Sequence, residues 1–275
     1  MARTPAPDWV PPSIDMTVPS VARIYDCLLG GSHNFAVDRE TAASLERFEP
    51  HARAAARLQR AFMGRVVRYQ VSQGVRQFLD IGSGIPTVGN VHEIAHQVDP
   101  SCRVVYVDFD PVAVAHSELM LRNTPGTGVV QADLRDPDAV LGSTAVRRLL
   151  DFSQPVGLLF MLVLHWIPGE TRALADLLGH YRDPLAPGSH LALSHITRDG
   201  QEGRVDGVAD VMRESRSADR FTARGYDEII TLFGEFELVE PGLVGCARWR
   251  PDGPGAVTEI PSINEYGYGG LARKP

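Results

Sequence analysis

Only three of the 275 residues are cysteine, Cys27, Cys102 and Cys246, far apart and odd in number, with no CxxC pair and no Cys/His cluster. That excludes a disulfide scaffold and a structural zinc site, so no metal is expected and the thiols read as reduced and cytoplasmic. Positive charge is in deficit, 27 Lys and Arg against 34 Asp and Glu, for a net charge of −7. Such a chain has no general attraction to phosphate backbones, and nucleic acid is not expected as a partner. Long apolar runs are missing as well. The longest, Val156 to Trp166, is too short to span a bilayer as a helix and suits a strand buried on both faces. The N-terminus, with Pro5, Asp8, Pro11 and Pro12, lacks the basic region and apolar stretch of a secretory signal. Neither membrane insertion nor export is expected.

What is present is ordinary globular material, 44% hydrophobic and 22% charged, enough for a sizeable core. Residues 1–19 are proline-rich and read as an extended arm. Ser20 can cap a short helix through Ile24, Tyr25 and Leu28 that Gly30-Gly31 ends, and helices near 36–47 and 51–73 follow. In the last of these, Arg53, Arg57, Arg60, Arg65 and Arg68 recur as in a solvated face. From Gln77 short apolar strands alternate with helices, at 77–81, 103–107, 128–131, 156–161 and 189–194, with helices near 87–98, 111–122, 137–150, 169–182, 201–216 and 222–234. Last strands are expected at 236–239 and 269–272. This alternation implies right-handed crossovers and a doubly wound, mostly parallel α/β sheet. The expected organisation is the arm, a helical cover over 20–74, and a Rossmann-like domain over 75–275.

Phe78-Leu79-Asp80-Ile81-Gly82-Ser83-Gly84 is a buried strand running into a glycine turn. Glycines let the backbone approach a ligand, and the acidic Asp80 suits one carrying an ammonium and a sulfonium better than a diphosphate. A dinucleotide fingerprint requires a third glycine where Thr87 stands, which disfavours a nicotinamide cofactor. The next strand ends in Asp108-Phe109, a carboxylate placed to accept both hydroxyls of a ribose. The third ends in Asp133-Leu134, whose carboxylate can take an adenine amine or simply serve as a turn residue. Three such elements in order, at the carboxyl ends of successive strands, describe a nucleoside pocket.

The combination resembles the class I S-adenosylmethionine methyltransferases. The segment from Arg23 to Arg39, with Tyr25-Asp26-Cys27-Leu28-Leu29-Gly30-Gly31-Ser32-His33-Asn34-Phe35, is similar to the signature YDYLLGGKDNFAADR of a bacterial S-adenosyl methyltransferase family, formerly a domain of unknown function. Cys27 and Ser32-His33 depart from it. The match runs through 78–87, 104–111, 131–135 and 164–166 to the closing Tyr268–Pro275. The resemblance implies S-adenosylmethionine as cofactor and a seven-stranded sheet with the last strand antiparallel.

Methyl transfer needs alignment, with a base only where the acceptor carries a proton. His165 and His195, at the ends of the fourth and fifth strands, are the candidate catalytic residues, and each can instead be a hydrogen-bonded structural histidine. Tyr25, Gly31 and Asn34 of the signature are expected to fold over the cofactor, although Gly31 can simply close the helix, and Met161 and Trp166 either pack against adenine or substrate or belong to the plain core. Expected cofactor contacts are therefore Tyr25, Gly31, Asn34, Asp80, Gly82, Ser83, Gly84, Thr87, Asp108, Phe109, Asp133, Leu134 and Met161. The function expected is methylation of a small molecule. The alternative is a non-catalytic protein that binds the same ligand.

Overall fold

Period-two alternation along the strands assigns each side chain to one face of the sheet, and that decides where the acidic residues emerge. The protein is described here from a computed structural model over residues 15–86, 89–217, 219–253 and 261–275. Thr87 and most of the proline-rich arm lie outside these. Helices α1 (Val21–Leu29), α2 (Ala36–Phe48) and α3 (Ala52–Ser72) precede strand β1 (Gln77–Ile81). Then come α4 (Val91–Val98), β2 (Arg103–Asp108), α5 (Pro111–Leu121), β3 (Thr127–Gln131), α6 (Pro137–Leu141), α7 (Thr144–Leu149) and β4 (Gly157–Met161). A 3-10 turn at Leu164–Trp166 leads to α8 (Thr171–Arg182), β5 (His190–Ile196), α9 (Glu202–Glu214), α10 (Tyr226–Thr231), β6 (Glu237–Leu238), β7 (Val244–Gly245) and β8 (Gly267–Arg273).

The sheet runs β3-β2-β1-β4-β5-β8-β6, with β1 to β5 parallel and β8 antiparallel to β5. Eight strands occur among the described residues where seven were expected. The far edge of β8 is shared by two short strands, Leu238 of β6 facing Ala272 and Val244 of β7 facing Gly269. The expected helix at 137–150 is two, because Gly142 ends the first and the Ser143 hydroxyl caps the second by accepting from Val146 N at 3.4 Å. The chain winds outward from β1 through β2 to β3 and then returns to β4 on the other side, so the order reverses between β1 and β4. Doubly wound folds bind ligands at this switch point, outside the carboxyl ends of the strands.

One face of the sheet presents Leu79, Ile81, Val105, Val107, Leu158 and Phe160 to α6, α7, α8 and α10. The other presents Phe78, Val104, Tyr106, Leu159 and Ala192 to α3, α4 and Trp249. Asp80, Asp108, Met161 and Ser194 fall in the same register as this second set. They emerge at the carboxyl ends on the side that α3 covers. Among the described residues no helix is long and apolar enough to cross a membrane.

The cover is tied to the sheet through a buried cation. Arg23 of α1, 4% exposed, donates through Nε to Asp38 of α2 at 2.8 Å, stands 3.5 Å from Asp110, and donates to the Val18 carbonyl. Asp38 also accepts from Ser20 N at 3.1 Å and Phe35 N at 2.8 Å, which closes the first turn of α2. Asp110 caps α5 by accepting from Val112 N at 2.8 Å. Ser20 stands at the start of α1 without a side-chain cap, because its hydroxyl bonds Asp110 instead. Phe35 packs with Ile85 and Val112, a second, apolar attachment. Removing one partner of a buried ion pair strands the other, so Arg23→Ala should destabilise the protein by roughly 3–5 kcal/mol. Denaturant unfolding checks this, with the surface pair Arg213–Asp210 as control, where Arg213→Ala should cost under about 1 kcal/mol.

Candidate active site

The turn after β1 is shaped by close packing. Gly82 has φ +71°, and a Cβ there would stand 2.3 Å from Val163 Cγ2, so the turn can meet the segment after β4 only with glycine at this position. Gly82 N and Ser83 N both donate to the Val107 carbonyl, at 2.8 and 3.1 Å, and Gly84 N donates to Asp108 Oδ2 at 2.7 Å. A Cβ built on Gly84 meets nothing within 4 Å. The opening in front of it is the cavity.

That cavity, about 500 Å³, runs from the glycine turn over the tips of β2, β3 and β4 and under α1, α2, α3 and α9. Asp80 and Asp108 are its buried acids. Burial pushes the Asp80 carboxyl up to about 7, with Arg60 opposing and Asp108 adding to the shift. Burial also lifts Asp108, to about 6, against the hydrogen bonds it accepts from the Asp110 and Gly84 backbone. Phe109 lies 57% exposed at the wall, Leu134 is buried, and Asp133 accepts from Arg135 N at 2.9 Å. The Arg135 side chain also bonds this carboxylate and holds it below the usual range.

Across the switch point, the strand ends at Met161 and the chain turns sharply. Leu162 takes φ +53°, a strained conformation for leucine, while its N–H donates to the Ser194 carbonyl and hydroxyl at 3.2 and 3.1 Å. His165 therefore stands in the 3-10 turn rather than at the strand end. Arg224, 1% exposed, fastens this turn by donating to the carbonyls of Leu164, Ile167 and Gly169 at 3.2, 3.1 and 3.2 Å. Burial beside His195 and Arg224 holds the His165 imidazole neutral, its pKa well below the ordinary histidine value.

Tyr25, Asp80, Gly82, Ser83, Gly84, Asp108, Phe109, Asp133, Leu134, Met161, His165 and Trp166 line the cavity as expected from the sequence. Three expected residues do not. His195 is fully buried, its Nδ1 donating to the Ile196 carbonyl at 2.8 Å and its Nε2 accepting from Arg224 at 3.2 Å, so both nitrogens are engaged in holding structure. Gly31 and Asn34 serve the cover itself. Asp26, 1% exposed, accepts from His33 N at 2.9 Å and Asn34 Nδ2 at 2.8 Å, and a Cβ on Gly31 would stand 1.9 Å from its Oδ1. The arginine run of α3 is no uniform solvated face either. Arg65 is buried on the Trp249 and Cys246 carbonyls, and Arg60 lines the cavity. The sequence showed neither, because nothing in helical spacing told that α3 lies between cover and sheet.

A family model described as S-adenosyl methyltransferase matches residues 7–275. The chain belongs to this family. A proposed methyltransferase from Thermobifida fusca YX is 40% identical, with 98% of this chain and 99% of that one covered and a TM-score of 0.90. A DUF574 family protein from Streptomyces avermitilis MA-4680 is 36% identical, with 95% and 99% covered and a TM-score of 0.89. The fold is shared with the 1,6-didemethyltoxoflavin-N1-methyltransferase of Burkholderia thailandensis, solved with bound 1,6-didemethyltoxoflavin and S-adenosylhomocysteine, at 14% identity, 78% coverage of each chain and a TM-score of 0.50. A search of curated proteins found no match.

The cofactor of this methyltransferase is S-adenosylmethionine. The donor set fits it: two buried carboxylates for a cationic, ribose-bearing molecule, an open space before Gly84, and a cavity in the size range of small-ligand sites. In the free protein Asp80 is an unfavourable burial. A carboxyl whose folded pKa lies above its unfolded value of about 4 contributes stability that is full below that value and lost as pH rises through about 7. Asp80→Asn should therefore raise the stability of the cofactor-free methyltransferase by up to about 4 kcal/mol at about pH 8 and by only about 1.5 kcal/mol at about pH 5. Denaturant unfolding at the two pH values checks it, and calorimetry should show the same variant binding S-adenosylmethionine more weakly.

Proposed function

We propose that this methyltransferase transfers the methyl group of S-adenosylmethionine to a small molecule enclosed with it beneath the helical cover of residues 20–74. The observation that carries this is the continuity of the cavity from the glycine turn to the space between α1, α3 and α9. An acceptor must fit inside that space, which favours a small molecule over a nucleic acid or a protein surface. A purely binding protein needs no room beyond the cofactor. Three free thiols, Cys27, Cys102 and Cys246, suit a reducing, cytoplasmic setting.

In this reading Asp80 takes the ammonium of the methionine moiety, Asp108 the ribose hydroxyls, and Leu134, Phe109 and Met161 the faces of the adenine, with Asp133 at its amine edge. Tyr25 closes the site from α1. The bound cofactor supplies an electrophilic methyl on a sulfonium. The protein's part is to orient the acceptor, exclude water, and accept a proton at His165.

Calorimetry and a methyl-transfer screen over small-molecule extracts test the reading. Asp108→Ala removes two charge-assisted hydrogen bonds and should weaken S-adenosylmethionine by about 30- to 1000-fold. His165→Gln should leave that affinity within a few-fold and lower transfer by about 10²–10⁴. Because burial lowers the His165 pKa, the acid limb of kcat/KM should lie well below the ordinary histidine range. Transfer by His165→Gln within about threefold of the parent would leave positioning as the main source of catalysis.

A further inference from the structure

His165 and His195 meet edge to face with ring centroids 5.5 Å apart, and their hydrogen bonding differs completely. Both nitrogens of His195 are taken. His165 is 2% exposed, its Nδ1 is enclosed without a hydrogen-bond partner, and none among the described residues occupies its Nε2. A buried polar group left so in a native protein requires an explanation, and a bound molecule is one where the group borders a cavity. His190 is likewise unpartnered, but it stands at the opposite end of β5 and does not line the cavity. His165 does, so Nε2 is the nitrogen left for a molecule inside.

The surroundings of that nitrogen are aromatic and apolar. Trp166 and Phe221 meet edge to face, with centroids 5.4 Å apart and planes at 63°, and both pack on the His165 ring at 5.0 and 5.5 Å. Val205, Val208 and Met212 of α9 add further apolar lining, and Trp166 packs against the cluster that holds Met212. The charges on this side are of both signs: Arg204 of α9 pairs with the buried Glu49 at 2.6 Å and lies over the Tyr266 ring, while Asp219 and Arg220, one of each sign, precede Phe221 at the lining. Arg224 stands behind His165 through His195 and opposes a second positive charge there. A base so placed takes a proton only from an acceptor that gives one up readily, which favours a phenolic or enolic hydroxyl over an alkyl alcohol.

We propose that the acceptor is an uncharged planar ring carrying an aromatic or enolic hydroxyl, seated in the Trp166–Phe221 corner with the hydroxyl donating to His165 Nε2. This rests on the small-molecule reading above and narrows it. In the transfer the acceptor oxygen forms a bond to the methyl carbon as the carbon–sulfur bond breaks. That electron pair stays on sulfur, giving neutral S-adenosylhomocysteine, and the hydroxyl proton passes to Nε2 and then to water.

The test uses the full chain saturated with S-adenosylhomocysteine and calorimetry with phenol, 2-naphthol, 7-hydroxycoumarin, decahydro-2-naphthol and 2-methoxynaphthalene. At least one of the three aromatic hydroxyl probes should bind. The 2-naphthol should bind about tenfold or more tighter than its saturated and its methylated counterparts. With S-adenosylmethionine, mass spectrometry should then show the corresponding methyl ether. Trp166→Leu should erase the preference for the flat ring and His165→Met the preference for the free hydroxyl, each with S-adenosylhomocysteine affinity within a few-fold of the parent, which certifies folding. Equal binding of decahydro-2-naphthol, preferential methylation of 2-naphthylamine, or no binding by any of the three aromatic hydroxyl probes would overturn the proposal while leaving the methyltransferase intact. Failure of the parent to bind S-adenosylmethionine or S-adenosylhomocysteine would instead remove the reading on which it rests.

Discussion

A buried cation ties the first two helices of the cover to the sheet domain of this protein. The guanidinium of Arg23 is shared between Asp38 in the cover and Asp110 at the start of α5, and neither acid has much water to fall back on. Asp110 N in turn donates to Asp108 Oδ1 at 2.9 Å. The carboxylate proposed for the ribose thus stands two residues from the joint that seats the cover. Such a network is costly to bury and more costly to half-remove, so it specifies one seating of the cover over the pocket. The apolar contact of Phe35 with Ile85 and Val112 has no comparable directionality.

The pocket beneath stores unfavourable energy of two kinds. Asp80 and Asp108 are carboxylates held in low dielectric, each pushed well above its ordinary pKa by burial, and a cationic ligand offsets that cost when it arrives. Leu162 holds a left-handed conformation on the bonds its N–H makes to Ser194. Arg224 then spends its donors on the carbonyls of the turn that follows. Strain and desolvation are concentrated where β1 and β4 diverge, which is where a doubly wound sheet offers its ligand site.

Two neighbouring histidines show how little residue type alone decides. His165 follows β4 and His195 lies in the neighbouring β5, and both are buried, yet only His165 reaches the cavity. Arg224 makes the difference, since it saturates His195 Nε2 while anchoring the backbone that carries His165. It comes from the segment just before α10, far along the chain, where no local pattern announces it. The same holds for Arg60, whose place opposite Asp80 depends on how α3 is sandwiched rather than on its neighbours in sequence.

By itself the sequence determined the strands, their alternation, and the acids at their carboxyl ends, because period-two burial and glycine turns are local properties written in a few residues. It also carried the family, through Tyr25-Asp26 to Asn34-Phe35. The role of that signature was decided only in three dimensions. Asp26 turns inward to bind His33 and Asn34, and Gly31 is required by the space its carboxylate fills. The eighth strand, the engagement of His195 and the cavity face of α3 were likewise settled by tertiary structure. Each depends on which element packs across from which, and that choice rests on contacts between residues tens to hundreds of positions apart, which no local spacing encodes.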